Sequence, residues 1–326
     1  MKKLILSIFI LHVCSQLQAY PITPRPLRKL VIESDCIIQA FVLELGQEKI
    51  KPEKKKKSVV YEMTQSYALL LVREVWQGKV NSDTIKIYYP AGMICPAPPR
   101  FEEHTEIIAF LDKVNEGYAV HALSYGVMTF FKKEGIQIYK SRIAEMQKII
   151  PQKDSKEKSS SIIEWLVSCA ENPHTRWEGV YELSPRSDFM SYYDRDDESA
   201  KGIFLSDQQR KRLFDALVST EDADYNELGL VDLCKGVDDS LLLKFLKKSL
   251  KKISEDDLWI ASDYMERVVF FYNNNELTKI YTEFEKYSNY NKDEKEKKKQ
   301  LLKEFIERME VIEPTPTLHS SGDHNT

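Results

Sequence analysis

Cysteine and histidine carry most of the chemistry open to this chain, and their spacing is the first constraint on it. Cys95 stands in MICPAPPRFEEHTEIIAFL (93–111), a lone thiol among prolines just ahead of an apolar run. A thiol so placed can act as a nucleophile, a metal ligand, half of a disulfide or a packed loop residue. The other cysteines are Cys14, Cys36, Cys169 and Cys234, and there is no CxxC, no Cys/His cluster with zinc spacing and no HExxH. Metal binding therefore has no positive support, and no cofactor is implied. His104, His121 and His174 are scattered, so a Cys–His or His–carboxylate pair would have to be assembled by the fold. No residue is assigned a catalytic role.

Which chemistry is available depends on the compartment. The chain opens MKKLILSIFILHVCSQLQA, with Lys2 and Lys3, an apolar stretch from Leu4 to Val13, then polar residues and Ala19. That is the three-part pattern of a secretory signal, and its apolar run is too short for a stable bilayer span. Cleavage after Ala19 would make Tyr20 the first mature residue and place the protein in the periplasm or outside the cell. The rival reading is a lipoprotein signal ending at Cys14, which Val13 disfavours because a small residue is wanted there. Export leaves Cys36, Cys95, Cys169 and Cys234, an even number in an oxidising compartment, with three pairings open.

Charge divides the chain. Residues 20–150 hold 19 Lys+Arg and 15 Asp+Glu, a balance of +4, whereas residues 151–326 hold 26 and 36, a balance of −10. A mildly basic half followed by an acidic half argues for two units, and nucleic-acid binding, which wants a concentrated basic face, is not expected.

The first half reads as β. KLVIESDCIIQAFVLEL (29–45), VVYEMTQSYALLLVREVWQG (59–78), TIKIYYP (84–90), EIIAFLDK (106–113) and YAVHALS (118–124) are short β-type runs with turn residues between them. KPEKKKKS (51–58) is a solvated hairpin loop or an anionic-partner surface. SRIAEMQKII (141–150) closes the unit as an amphipathic helix. The expected architecture for 20–150 is a small antiparallel barrel or sandwich.

The order ESDCIIQAFVLEL, a long strand ending REVWQGKV, TIKIYY, the cysteine loop 93–111 and GYAVHALSYG resembles the bacterial form of the netrin and tissue-inhibitor-of-metalloproteinase superfamily. The match spans roughly 28–140. It implies an exported OB-like β-barrel, and a disulfide at the cysteine-loop position, for which Cys36 and Cys95 are the candidate pair. Inhibitors of that superfamily chelate protease zinc through a cysteine at the mature N-terminus. Here the mature start is Tyr20 and the first mature cysteine is Cys36, so that role has no heir.

Pro151 and QKDSKEKSSS read as a linker over 151–161. Helical periods follow in 160–173, 205–219 (with Ser206 as a candidate cap), 238–253, 255–272, 275–288 and 293–312. An α-helical domain over 162–312 is expected, either an irregular HEAT-like repeat stack or an ordinary bundle. The tail 313–326 lacks core-forming residues. Between the helices lies HTRWEGVYELSPRSDFMSYYDRDDESAKG (174–202), where Arg176, Trp177, Tyr181, Phe189, Tyr192 and Tyr193 form a candidate partner surface or pack the connection onto the helices. Asp194, Asp196, Asp197 and Glu198 match no EF-hand spacing. The leading functional expectation is an exported protein-binding protein. A protease inhibitor acting by another route, and a hydrolase whose site is assembled by the fold, are the alternatives.

Overall fold

A computed structural model describes residues 24–50, 63–92, 97–115, 117–184, 203–220, 225–254 and 257–312. The chain divides into two compact units, Met1–Ser159 and Ser160–Thr326. The stretches expected to be a signal segment (1–19), a hairpin loop (51–58) and a tail (313–326) lie outside the described residues.

The first unit opens with a helix where a strand was expected. In α1 (Leu27–Glu33) the residues Leu27, Leu30 and Val31 fall one helical turn apart and are buried. Three- and four-residue spacing outweighs the β-branched composition of LVI, and Pro26, at the cap, removes no hydrogen bond. The sheet follows: β1 (Cys36–Ile50), β2 (Met63–Gln77), β3 (Thr84–Tyr89), β4 (Glu106–Val114), β5 (Gly117–Val120) and β6 (Val127–Phe130). A 3-10 turn at Leu123–Gly126 replaces the end of the strand expected over 118–124. Helix α2 (Lys133–Ile149) is longer than its sequence signal, because Ile136 and Tyr139 extend the buried stripe of Ile143 and Met146.

The pairings are all antiparallel. The six-stranded sheet runs β3-β2-β1-β4-β5 with β6 also on β4, an open hydrogen-bonded path. Its two ends, β3 and β5, lie against each other. One sheet face carries Ile38, Ala40, Val42, Ala68, Leu70, Ile85, Ile87, Ile107, Ala109 and Leu111 as a continuous core. Ile37, Ile108 and Phe110 alternate to the other face and are also buried. There the Gln77 amide donates to the carbonyls of Val31 (3.2 Å) and Ser34 (2.8 Å). Gln147 donates to the Trp76 carbonyl at 3.1 Å, so both helices are tied to the end of β2. Gly78, just beyond it, has φ +76°, and a Cβ there would fall 2.4 Å from the Asp35 carbonyl. Only glycine meets both demands.

Helix α3 (Ser155–Glu171) begins inside the stretch expected to be a linker. The Asp154 carboxylate accepts from the Glu157 amide at 2.8 Å and caps the helix start, so the charged residues form its first turn. The second unit continues with α4 (Arg176–Leu183), α5 (Asp207–Val218), α6 (Tyr225–Cys234), α7 (Asp239–Leu250), α8 (Leu258–Tyr272), α9 (Asn275–Phe284) and α10 (Lys292–Val311). Ser206 caps α5 through a reciprocal capping box with Gln209. Contacts run mainly between sequence neighbours, α5 with α6, α7 with α8, α8 with α9 and α9 with α10, and α10 also reaches α7. No helix among the described residues is long and apolar enough to cross a membrane.

Candidate functional site

The fold brings one histidine to carboxylates. His121 Nδ1 lies 3.0 Å from Asp112 Oδ1, and its Nε2 lies 3.2 Å from Glu33 Oε2. Arg25 Nε adds a further pair to Glu33 at 3.0 Å. The ring is held by an unusual turn, since Ala122 and Leu123 both have φ +53°. Each ring nitrogen has a carboxylate within hydrogen-bond distance. The chain Arg25–Glu33–His121–Asp112 thus joins α1 to β4 as an electrostatic clasp. His104 and His174 are exposed and take no part in it. Among the described residues no cluster of His, Cys, Asp and Glu could hold a metal ion.

Among the described residues no thiol belongs to a reactive centre. Cys36, Cys169 and Cys234 are buried and not disulfide-bonded. The Cys36 thiol donates weakly to the Lys79 carbonyl at 3.6 Å. Burial pushes the Cys234 thiol up to about 12, away from the thiolate form that nucleophilic attack requires. Cys95, the other half of the pairing implied by the family resemblance, lies outside the described residues.

Within the stretch 174–202 the described residues pack onto the helices. Arg176 and Tyr181 are each 3% exposed, because 176–183 is a helix that packs on α6 rather than a connection. The Arg176 guanidinium bonds the Glu227 carboxylate and reaches Thr220 Oγ1 at 3.1 Å, while its Nε donates to the Ala170 carbonyl at 3.2 Å. Trp177 is half-buried and stacks on Tyr181 at 5.2 Å. Phe189, Tyr192, Tyr193 and the acidic residues 194–198 lie outside the described residues.

The preorganised surface is elsewhere, on the outer face of β1–β3. Strand β3 alternates strictly: Ile85, Ile87 and Tyr89 face the core, Lys86 and Tyr88 face out. Tyr88 pairs directly with Tyr67, and Tyr67 with Gly46, so one row crosses three strands. A register shift between Val42 and Glu44 changes the parity of β1 and turns Glu44, Gly46 and Glu48 outward. Tyr67 and Tyr88 meet edge to face at 6.4 Å, and Lys86 Nζ sits 4.3 Å over the Tyr67 ring. Each phenol is anchored, Tyr67 donating to Glu44 at 2.7 Å and Tyr88 to Glu48 at 2.6 Å. Lys86 donates to the other Glu48 oxygen at 2.9 Å.

The charges follow this network. The Tyr88 phenol and then the Lys86 ammonium hold the Glu48 carboxyl below its ordinary value. Glu48 in turn raises Tyr88 and Lys86, and Glu44 raises Tyr67. These shifts keep Glu48 anionic, Lys86 cationic and both phenols protonated near neutral pH. Aromatic side chains locked by hydrogen bonds lose little rotamer freedom on binding. The alternation of TIKIYY is visible in the sequence; the three-strand row is not, because it needs the pairing and the bulge. No family model, no curated protein and no solved structure matches this chain.

Proposed function

We propose that this is an exported, non-catalytic protein that binds another protein through the outer face of its β unit. The observation that carries the reading is the anchored Tyr67–Lys86–Tyr88 cluster on β2 and β3, with Lys86 and Tyr88 exposed and Tyr67 half-buried, composed like a protein-binding hot spot. Export rests on the Lys2–Lys3, apolar, Ala19 pattern of the N-terminal segment. The β unit is read as an OB-like barrel of the netrin/TIMP-like kind. The approach of β5 to β3 and the three register shifts in β1–β2, which curve the hairpin, support that reading. The helical unit is read as an irregular HEAT-like array, supported by contacts that run mainly between successive helices. Zinc chelation of the inhibitor type is not part of this function, since Cys36 is fully buried within a strand.

The test is affinity capture from an envelope fraction with the tagged mature protein, wild type against Tyr67→Ala/Tyr88→Ala. A partner enriched by the wild type and lost from the variant, with an unchanged urea midpoint, is the expected outcome. Identical captured sets, or none over an untagged control, would remove the proposal.

A further inference from the structure

We propose that α7 and α10 of the helical unit form a second binding surface, a cationic groove that docks an extended acidic segment of a partner protein. The groove is shallow and open to solvent, about 600 Å³, and is lined by Lys244, Lys247, Lys248 and Lys251 together with Leu243 and, on the facing helix, Glu310. It is a different surface from the Tyr67–Tyr88 row and does not rest on it.

The charge is concentrated against the trend of its surroundings. Residues 151–326 are acidic by ten charges (26 against 36), yet 240–252 contain five lysines and no Asp or Glu. Carboxylates are plentiful in this half, but within the groove only Lys251 has one, Glu310 at 2.7 Å. Lys244 and Lys248 make no ion pair among the described residues. Placing like charges one turn apart on a helix is unfavourable. A bound anion removes that repulsion.

Spacing selects the shape of the anion. Lys244 and Lys248 are four residues apart on α7, a rise of about 6 Å, as are Lys247 and the C-cap Lys251. Alternate residues of an extended chain are about 6.6 Å apart and point to the same side. Carboxylates at every second position of an extended segment therefore meet successive lysines. Leu243, only 8% exposed, would accept an apolar side chain set among the acids. A flat anionic surface would have to bring its charges against Glu310. A narrow peptide passes along the lysine side and leaves Glu310 free to accept a backbone N–H.

The probe is a short fluorescein-labelled peptide alternating glutamate with serine around a central leucine, titrated with the full mature chain and read by anisotropy. Lys244→Glu/Lys248→Glu should weaken binding at least about tenfold, and Lys244→Gln/Lys248→Gln about threefold. Lys279→Glu, on α9 outside the groove, should leave it unchanged. The Gln variant guards against misfolding caused by charge reversal, and both variants are checked by thermal melting. Absence of wild-type binding, equal affinity across the variants, or tighter groove-dependent binding to phosphatidylglycerol vesicles than to the peptide would overturn the proposal.

Discussion

Gly46 lies directly beneath the ring of Tyr67: a Cβ at position 46 would fall 2.4 Å from both Cζ and the phenol oxygen. The two are cross-strand partners in the β1–β2 ladder, so the glycine leaves the space in which the aromatic lies flat. Gly46→Ala should push the mobile end of the ring aside and break the bond to Glu44. The stability loss is expected to stay below about 1 kcal/mol, because the displaced atoms are the far end of an exposed side chain. Partner capture should nevertheless fall as far as in Tyr67→Ala. Parallel measurement of melting temperature and capture tests this, and unchanged capture would show that the ring position does not matter.

Arg176 provides a contrast, because its role is internal. Its guanidinium and the Glu227 carboxylate have side chains only 3% and 6% exposed. Removing one partner leaves a buried charge, so Arg176→Leu and Glu227→Leu should each cost about 3–5 kcal/mol in urea unfolding. The double variant should recover much of that loss. A stable Arg176→Leu protein with impaired capture would return this residue to the binding surface.

A third expectation concerns pH. Burial between α6 and α8 pushes the Asp263 carboxyl up to about 6, with Glu266, Glu285 and Asp232 raising it further and Arg267 opposing them. The native state thus holds this proton more tightly than the unfolded chain does. Stability falls as pH rises from about 4 to 6, and the full penalty applies above 6. After allowance for solvent screening the penalty is about 1–2 kcal/mol. Asp263→Asn should therefore stabilise the protein by that amount at pH 7.5 and by almost nothing at pH 3. A gain of equal size at both pH values would assign the effect to packing.

The thiols give a fourth. Cys36, Cys169 and Cys234 are buried and not disulfide-bonded, so all three should resist Ellman's reagent in the native protein and react in denaturant without reductant. A disulfide between Cys36 and Cys95 would instead leave Cys36 silent in the unreduced, denatured chain. Mass mapping of the alkylated peptides distinguishes the two directly.

Periodicity carried most of the elements and little of the site. The alternation of TIKIYY and the run EIIAFL are legible as strands because each strand face is uniformly buried or open. Leu242, Leu246 and Leu250 mark α7 in the same way. Helix α1 was hidden because LRKLVIE has strand-like composition, and only its three-residue spacing favours a helix. Helix α4 was hidden behind its aromatic and charged residues, which signal recognition when exposed and packing when buried. Burial of Arg176 depends on Glu227, fifty-one positions away, and no local pattern reports such a partner. The Tyr67–Tyr88 row fails for the same reason: neighbours across strands are set by register, and the bulge after Val42 shifts that register.

The strict alternation of β3 also links folding fidelity to recognition. A slip of one residue against β2 would turn Ile85, Ile87 and Tyr89 to solvent and drive the Lys86 ammonium into the core. The charge that helps to form the outer row thereby excludes the competing pairing. Replacing Lys86 by leucine, harmless to the correctly paired strand, would bring the two registers closer in energy and leave a more aggregation-prone chain. Positions 86 and 88 are thus constrained twice, once by what the surface meets and once by which alignment the hairpin adopts while it forms.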